Sequence, residues 1–274
     1  MEPAESREIA IAKDVYRFTL SAEVRQTYSD ALRMLRSAAV PFAVGGAFAV
    51  YNYTGVWRNT PDLDLLLLPD DIERALAVLR GVGFRGRVED RGWLAHATRA
   101  SATVDLVFGL GNYLMQFDEA VLARVEMGIV VGLPAPVIAV EELIWSKAYV
   151  AARDRFDNAD IAHLILKQGP RIDWTHLLWR FGDHWDLLFT HLLFFRYAYP
   201  YDRDLVPRDV FDRLLKFERD RRTTEPTRED VCNGFLLDHK SFRIDAERGE
   251  IDARERLARQ RGLSYPKPSR DKAA

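Results

Sequence analysis

Asp62 and Asp64 stand two residues apart in the run DLDLLLL (62–68). On a strand that spacing puts both carboxylates on one face. Side by side they repel, and each raises the other's pKa unless a cation lies between them. Mg²⁺ is the natural candidate, a hard ion that shares carboxylates with substrate phosphates. A third carboxylate, Asp105, is embedded in ATVDLVFG (102–109). An Asp inside a β run is costly to bury unpaired, and a metal or proton-transfer role accounts for it. If this strand neighbours 62–68, the three carboxylates can hold two Mg²⁺ ions across a triphosphate. Upstream, Gly45-Gly46 falls between an apolar run and a helix. There the missing Cβ atoms let a phosphate approach backbone N–H groups at the helix N-terminus.

The elements that must position these residues are readable from periodicity. Residues 21–38 carry a helical stripe (Val24, Tyr28, Leu32, Leu35) with Ser21 as cap. PFAV (41–44) reads as a short strand, then a helix runs over 47–53 to Gly55, and 62–68 reads as a buried strand. Pro69-Asp70-Asp71 opens a helix through Ile72, Leu76 and Leu79. Strands are expected at 84–89, 92–98 and 102–109, the last two joined by the hairpin-length turn RAS, and again at 125–132 before a Pro134-Ala-Pro136 break. After it, 139–151, 158–168, 174–181, 184–199 and 207–221 all read as helices. The expected fold is α+β: a mixed sheet with flanking helices over 1–138, an all-α domain over 139–221, and a loosely held polar tail over 222–274 that ends in PKPSRDKAA.

Composition narrows the classes. The 274 residues carry 39 basic and 41 acidic side chains, a net charge of −2, and are 48% apolar, which is an ordinary globular balance. General nucleic-acid binding needs surplus cations to displace counterions, so any basic surface must be local. The single Cys232 permits neither an intrachain disulfide nor a Cys-based zinc cluster. The first residues lack the apolar core of a signal peptide, and the most apolar stretch, 187–195, is too short to cross a bilayer. A cytoplasmic setting is expected.

The segment VGGAFAVYNYTGVWRNTPDLDLLLLPDD (44–71) resembles the nucleotidyltransferase superfamily, typified by DNA polymerase β and aminoglycoside nucleotidyltransferases. The nearer pattern is GGxA…GxxRxTxDxD, found in bacterial branches that include toxins of AbiEii- and MenA-type systems. Gly45, Gly46, Ala47, Gly55, Arg58, Thr60, Asp62 and Asp64 match it. The gap from Gly46 to Asp62 is longer than in minimal members, and Gly replaces the Ser often second in the turn. A second block, 137–165, is similar to the family segment that presents a lysine and ends in an Arg-rich turn with Asp-x-x-Asp-Ile. The resemblance implies a Mg²⁺-dependent enzyme that moves NMP from an NTP, ATP by default, to a hydroxyl of an acceptor: a small molecule, a protein or a tRNA end. Asp62, Asp64 and Asp105 would be catalytic and hold metal. Gly45, Gly46, Arg58, Thr60 and Lys147 would bind the nucleotide. The rivals are a non-catalytic nucleotide- or partner-binding module and a tRNA-modifying toxin.

Plainer readings compete at several positions. Arg58 either binds a phosphate or pairs with Asp62 or Asp64. Lys147 contacts phosphate or is a solvated helix lysine. The group Arg153, Arg155, Asp157 and Asp160 frames the cleft or forms an ion-pair network at a helix start, the latter favoured. His176, His184 and His191 read as core or hydrogen-bonded residues, and the aromatic stretch 179–200 as helical packing or a homodimer interface.

Overall fold

The computed structural model describes residues 20–153, 155–223, 230–263 and 265; the start of the first expected domain and the PKPSRDKAA terminus lie outside them. The fold is mixed α/β, with a seven-stranded sheet of order β3-β4-β5-β2-β1-β7-β6. These strands are β1 (Ala43–Val44), β2 (Asp62–Leu66), β3 (Arg85–Asp90), β4 (Leu94–Arg99), β5 (Ala102–Val107), β6 (Glu126–Val130) and β7 (Leu133–Val137). Helices α1 (Ala22–Ser37), α2 (Gly46–Thr54) and α3 (Ile72–Arg80) alternate with the first of them.

Alternation in β2 and β5 decides which face is covered. Leu63, Leu65, Val104 and Leu106 are fully buried, on the side where α1 packs on β5 and α3 on β3 and β4. Each such side chain contributes ~1.5–3 kcal/mol relative to exposure. Gly86 on β3 shares that side: a Cβ there would meet Leu76 of α3 at 2.6 Å. The opposite side of β3, β4, β5 and β2 carries the polar residues. α1 begins as the sequence predicts, with Ser21 Oγ accepting the Val24 N–H at 3.1 Å.

Helices α5 (Val140–Ala148), α6 (Asn158–Gln168), α7 (Trp174–Phe181), α8 (Trp185–Ala198) and α9 (Arg208–Thr223) follow a short α4 (Glu119–Leu122). α2 packs against β2, α5 and α6. One apolar cluster therefore runs through both the sheet and the helical part, from Leu20 to Ala253.

Two expectations change. The Pro134-Ala-Pro136 segment is not a break; it lies inside β7, paired antiparallel with β6. The Ile138 N–H reaches Val44 O at 3.0 Å, so Pro134 and Pro136, of the same parity, turn their nitrogens to the β1 side. There β7 meets β1 only at Val44↔Val137, and no ladder bond is lost. Nor are the described residues of the tail loosely held. β8 (Val231–Cys232) pairs with β9 (Ile251–Asp252), with α10 (Arg243–Glu247) between them and α11 (Ala253–Gln260) after. Phe235, Leu236, Ala253 and Ala258 are buried anchors in an otherwise polar sequence. Asn112 Nδ2 donates to Leu236 O at 3.3 Å, tying the segment to the main body.

Candidate active site

The open side of the sheet is ordered into rows by strand register. β2 and β5 run parallel with Asp64 opposite Asp105 and Asp62 opposite Thr103. β4 lies antiparallel to β5 with His96 opposite Asp105, and β3 brings Arg87 opposite His96. One row thus reads Arg87, His96, Asp105, Asp64, on strands ~4.8 Å apart. The three predicted carboxylates share one face of two adjacent strands.

Their electrostatics are those of an uncompensated cluster. Burial, and then the charges of Asp62 and Asp105, push the Asp64 carboxyl up to about 7, against a smaller downward pull from Arg155 and Lys147. Burial also raises Asp105, while its bond to His96 works the other way. Below them Tyr28 is 1% exposed. Burial and the three carboxylates raise its hydroxyl to about 12, and Oη donates to Pro61 O at 3.3 Å, just before β2. Thr60 Oγ1 donates to Asp62 Oδ1 at 2.6 Å, so Thr60 sets the rotamer of Asp62.

The Gly-Gly turn is built against this cluster. The Gly45 N–H donates to Asp64 O at 3.0 Å, and Gly46 opens α2 at φ +54, in the left-handed region. A Cβ on Gly46 would lie 1.7 Å from Asp64 Oδ2. Only glycine lets the start of α2 and the carboxylate approach this closely. Among the described residues no three or more His, Cys, Asp or Glu side chains form a ready-made metal cage. Mg²⁺ in phosphate-handling sites takes one or two carboxylates and completes its shell with substrate phosphates and water. Asp62 and Asp64, hard donors beside a helix N-terminus, fit that kind of site.

The predicted cations sit elsewhere. Lys147 is not solvated: it is 6% exposed, with Nζ 2.7 Å from Asp157 Oδ2 and 2.9 Å from Asp160 Oδ2. Arg58 pairs with neither Asp62 nor Asp64; its Nη1 lies 2.9 Å from Asp160 Oδ1. Burial pushes the Asp157 carboxyl up, and Lys147 with Arg155 more than offset it, leaving it below its ordinary range. The favoured ion-pair network at the start of α6 is present. Arg153 contributes its backbone N–H to Asp238 Oδ2 at 3.4 Å.

The residue that the sequence reading misses is His96. Its Nδ1 lies 2.6 Å from Asp105 Oδ1. The signal is the hairpin: Arg99 pairs with Ala102, and counting back from that turn puts 96 opposite 105. The three histidines read as core or hydrogen-bonded residues are hydrogen-bonded: His176 to Glu142, His184 to Tyr149 Oη, and His191 to Asn158 and Ala148 O.

No family model matches the chain, and no curated protein does. Some solved structures are similar. The solution structure of the antibiotic-resistance factor ANT(2'')-Ia is 19% identical over 61% of this chain and 95% of its own, with a TM-score of 0.46. Lincomycin-bound LnuA, a lincosamide antibiotic adenylyltransferase, is 14% identical over 51% of this chain and 94% of its own, TM-score 0.39. JHP933 from Helicobacter pylori is 14% identical over 74% of this chain and 98% of its own, TM-score 0.41. Likeness of this strength assigns no activity.

Proposed function

We propose that this chain is a Mg²⁺-dependent nucleotidyltransferase that moves a nucleoside monophosphate from an NTP, ATP by default, to a hydroxyl of an acceptor. The observation that carries the reading is the placement of Asp62, Asp64 and Asp105 on one face of two adjacent strands, with the Gly45-Gly46 turn against Asp64. Asp62 and Asp64 would hold the cation, with Asp105 sharing a second. Bound there, Mg²⁺ would neutralise the triphosphate and stabilise charge developing at the α-phosphorus. The N–H groups that open α2 would meet the phosphates. Asp105 takes the proton of the acceptor hydroxyl as its oxygen bonds to the α-phosphorus and pyrophosphate leaves. The acceptor is a small molecule, a protein or a tRNA end, and the helical part supplies the other wall of the cleft.

The test is label transfer from α-labelled NTPs, with Mg²⁺, to the components of a cell extract. Wild type should transfer label, and the Asp62→Ala/Asp64→Ala variant should transfer about 10³-fold less. Equal transfer by the two proteins sinks the enzyme reading. Nucleotide binding without transfer in any extract would favour a binding module of the same fold.

A further inference from the structure

Among the described residues, Asp105 is the only one of the three carboxylates held by a side chain from outside the proposed metal-binding motif. His96 reaches it across the β4–β5 ladder, in register, at 2.6 Å from Nδ1 to Oδ1. The pair is largely enclosed, with side-chain exposures of 28% for His96 and 15% for Asp105. The carboxylate accepts, so Nδ1–H donates, and Oδ1 is committed. Oδ2 of Asp105 has no hydrogen-bond partner among the described residues. A carboxylate on a strand has a two-fold terminal torsion and can offer either or both oxygens. A donor fixed on the neighbouring strand removes that freedom.

We propose that His96 is the positioning residue of this site: by holding Oδ1 of Asp105 it fixes the carboxylate so that Oδ2 alone is presented toward Asp62 and Asp64. This rests on the reading of the three carboxylates as a cation site. Partners of ligating groups of this kind are worth roughly 10–100-fold in metal affinity. What is required of residue 96 is an N–H donor at the place of Nδ1, which asparagine can supply and alanine cannot.

Mn²⁺ alone is the probe, titrated into the full chain and followed by the loss of the free-ion electron paramagnetic resonance signal, with thermal melts to confirm that each variant is folded. Wild type should bind Mn²⁺ and Asp64→Asn should lose it. His96→Ala should bind about 10-fold more weakly, and His96→Asn should recover to within about twofold of wild type. Binding by His96→Ala at the wild-type level, with Asp64→Asn still defective, overturns the role of His96 and leaves the site intact. Equal weakness of His96→Ala and His96→Asn also overturns it, since bulk and not the N–H would then matter. Equal Mn²⁺ binding by wild type and Asp64→Asn instead defeats the cation site itself, and the inference with it.

Discussion

The carboxylate row and the cluster around Lys147 use the same residue types, but they are balanced differently. Around Lys147 the carboxylates Asp157 and Asp160 meet three cations, Lys147, Arg58 and Arg155. On the sheet face, Asp62, Asp64 and Asp105 meet one imidazole and one hydroxyl. The electrostatic consequence differs in sign: Asp157 is held below its ordinary range and Asp64 is pushed above it. A balanced cluster is complete as folded. An unbalanced one leaves negative charge that the proposed cation would meet. The two also communicate, since Arg155 and Lys147 are the cations that pull Asp64 back down.

The comparison breaks most visibly at Lys147. Lys147→Met leaves two carboxylates that are 11% and 9% exposed with only the exposed cations Arg155 and Arg58 beside them. Removing one partner of a buried ion pair costs about 3–5 kcal/mol. Urea unfolding at neutral pH should show a loss of that size. A loss below about 1 kcal/mol would mean that the cluster relaxes into solvent and is not a balanced counterpart to the carboxylate row.

Asp64→Asn should act in the opposite direction. The folded-state pKa of Asp64 is raised from 3.8 to about 7. Between those values the unfolded chain has released the proton and the folded chain retains it, so stability falls as pH rises through that window and levels above it. The variant should flatten this slope and, at pH 8 without divalent cations, be more stable than wild type by about 1–3 kcal/mol. Parallel stability profiles for the two proteins would show that the carboxylate row carries no stored repulsion. Activity and stability are thus expected to move apart at Asp64 and together at Lys147.

What the sequence makes legible follows from the range of the forces involved. α6 and α7 fall on 158–168 and 174–181 as periodicity predicts, because amphipathic spacing is local. The alternation of DLDLL likewise assigns Asp62 and Asp64 to one face without any tertiary knowledge. Pairing is harder. That β2 lies beside β5 is a crossover that no local pattern encodes; only the isolated Asp105 hints at it. Proline chemistry misleads at β7, because its missing N–H groups matter only if a neighbour needs them. Lys147 is ambiguous for a related reason: a lysine among apolar residues on a helix is read through its environment. That environment, Asp157 and Asp160, is supplied by the next helix. The tail is misread because four buried side chains can anchor a segment whose composition is otherwise that of solvated chain.

Arg58 is where the comparison is finest. It sits in the matched motif, and the resemblance implies nucleotide binding for it, yet its guanidinium bridges to Asp160 at 2.9 Å and its side chain is 44% exposed. An ion pair with one exposed partner is screened by solvent and contributes about 0–1 kcal/mol, and Asp160 keeps Lys147 if Arg58 is removed. Arg58→Ala should therefore change stability by less than about 1 kcal/mol and the NTP KM by less than about threefold. A tenfold or greater rise in KM at unchanged stability would place Arg58 with the substrate and show that its bridge to Asp160 opens when nucleotide binds. In that event the balanced cluster would be a store of cations for the unbalanced one, and the two regions would be halves of a single site.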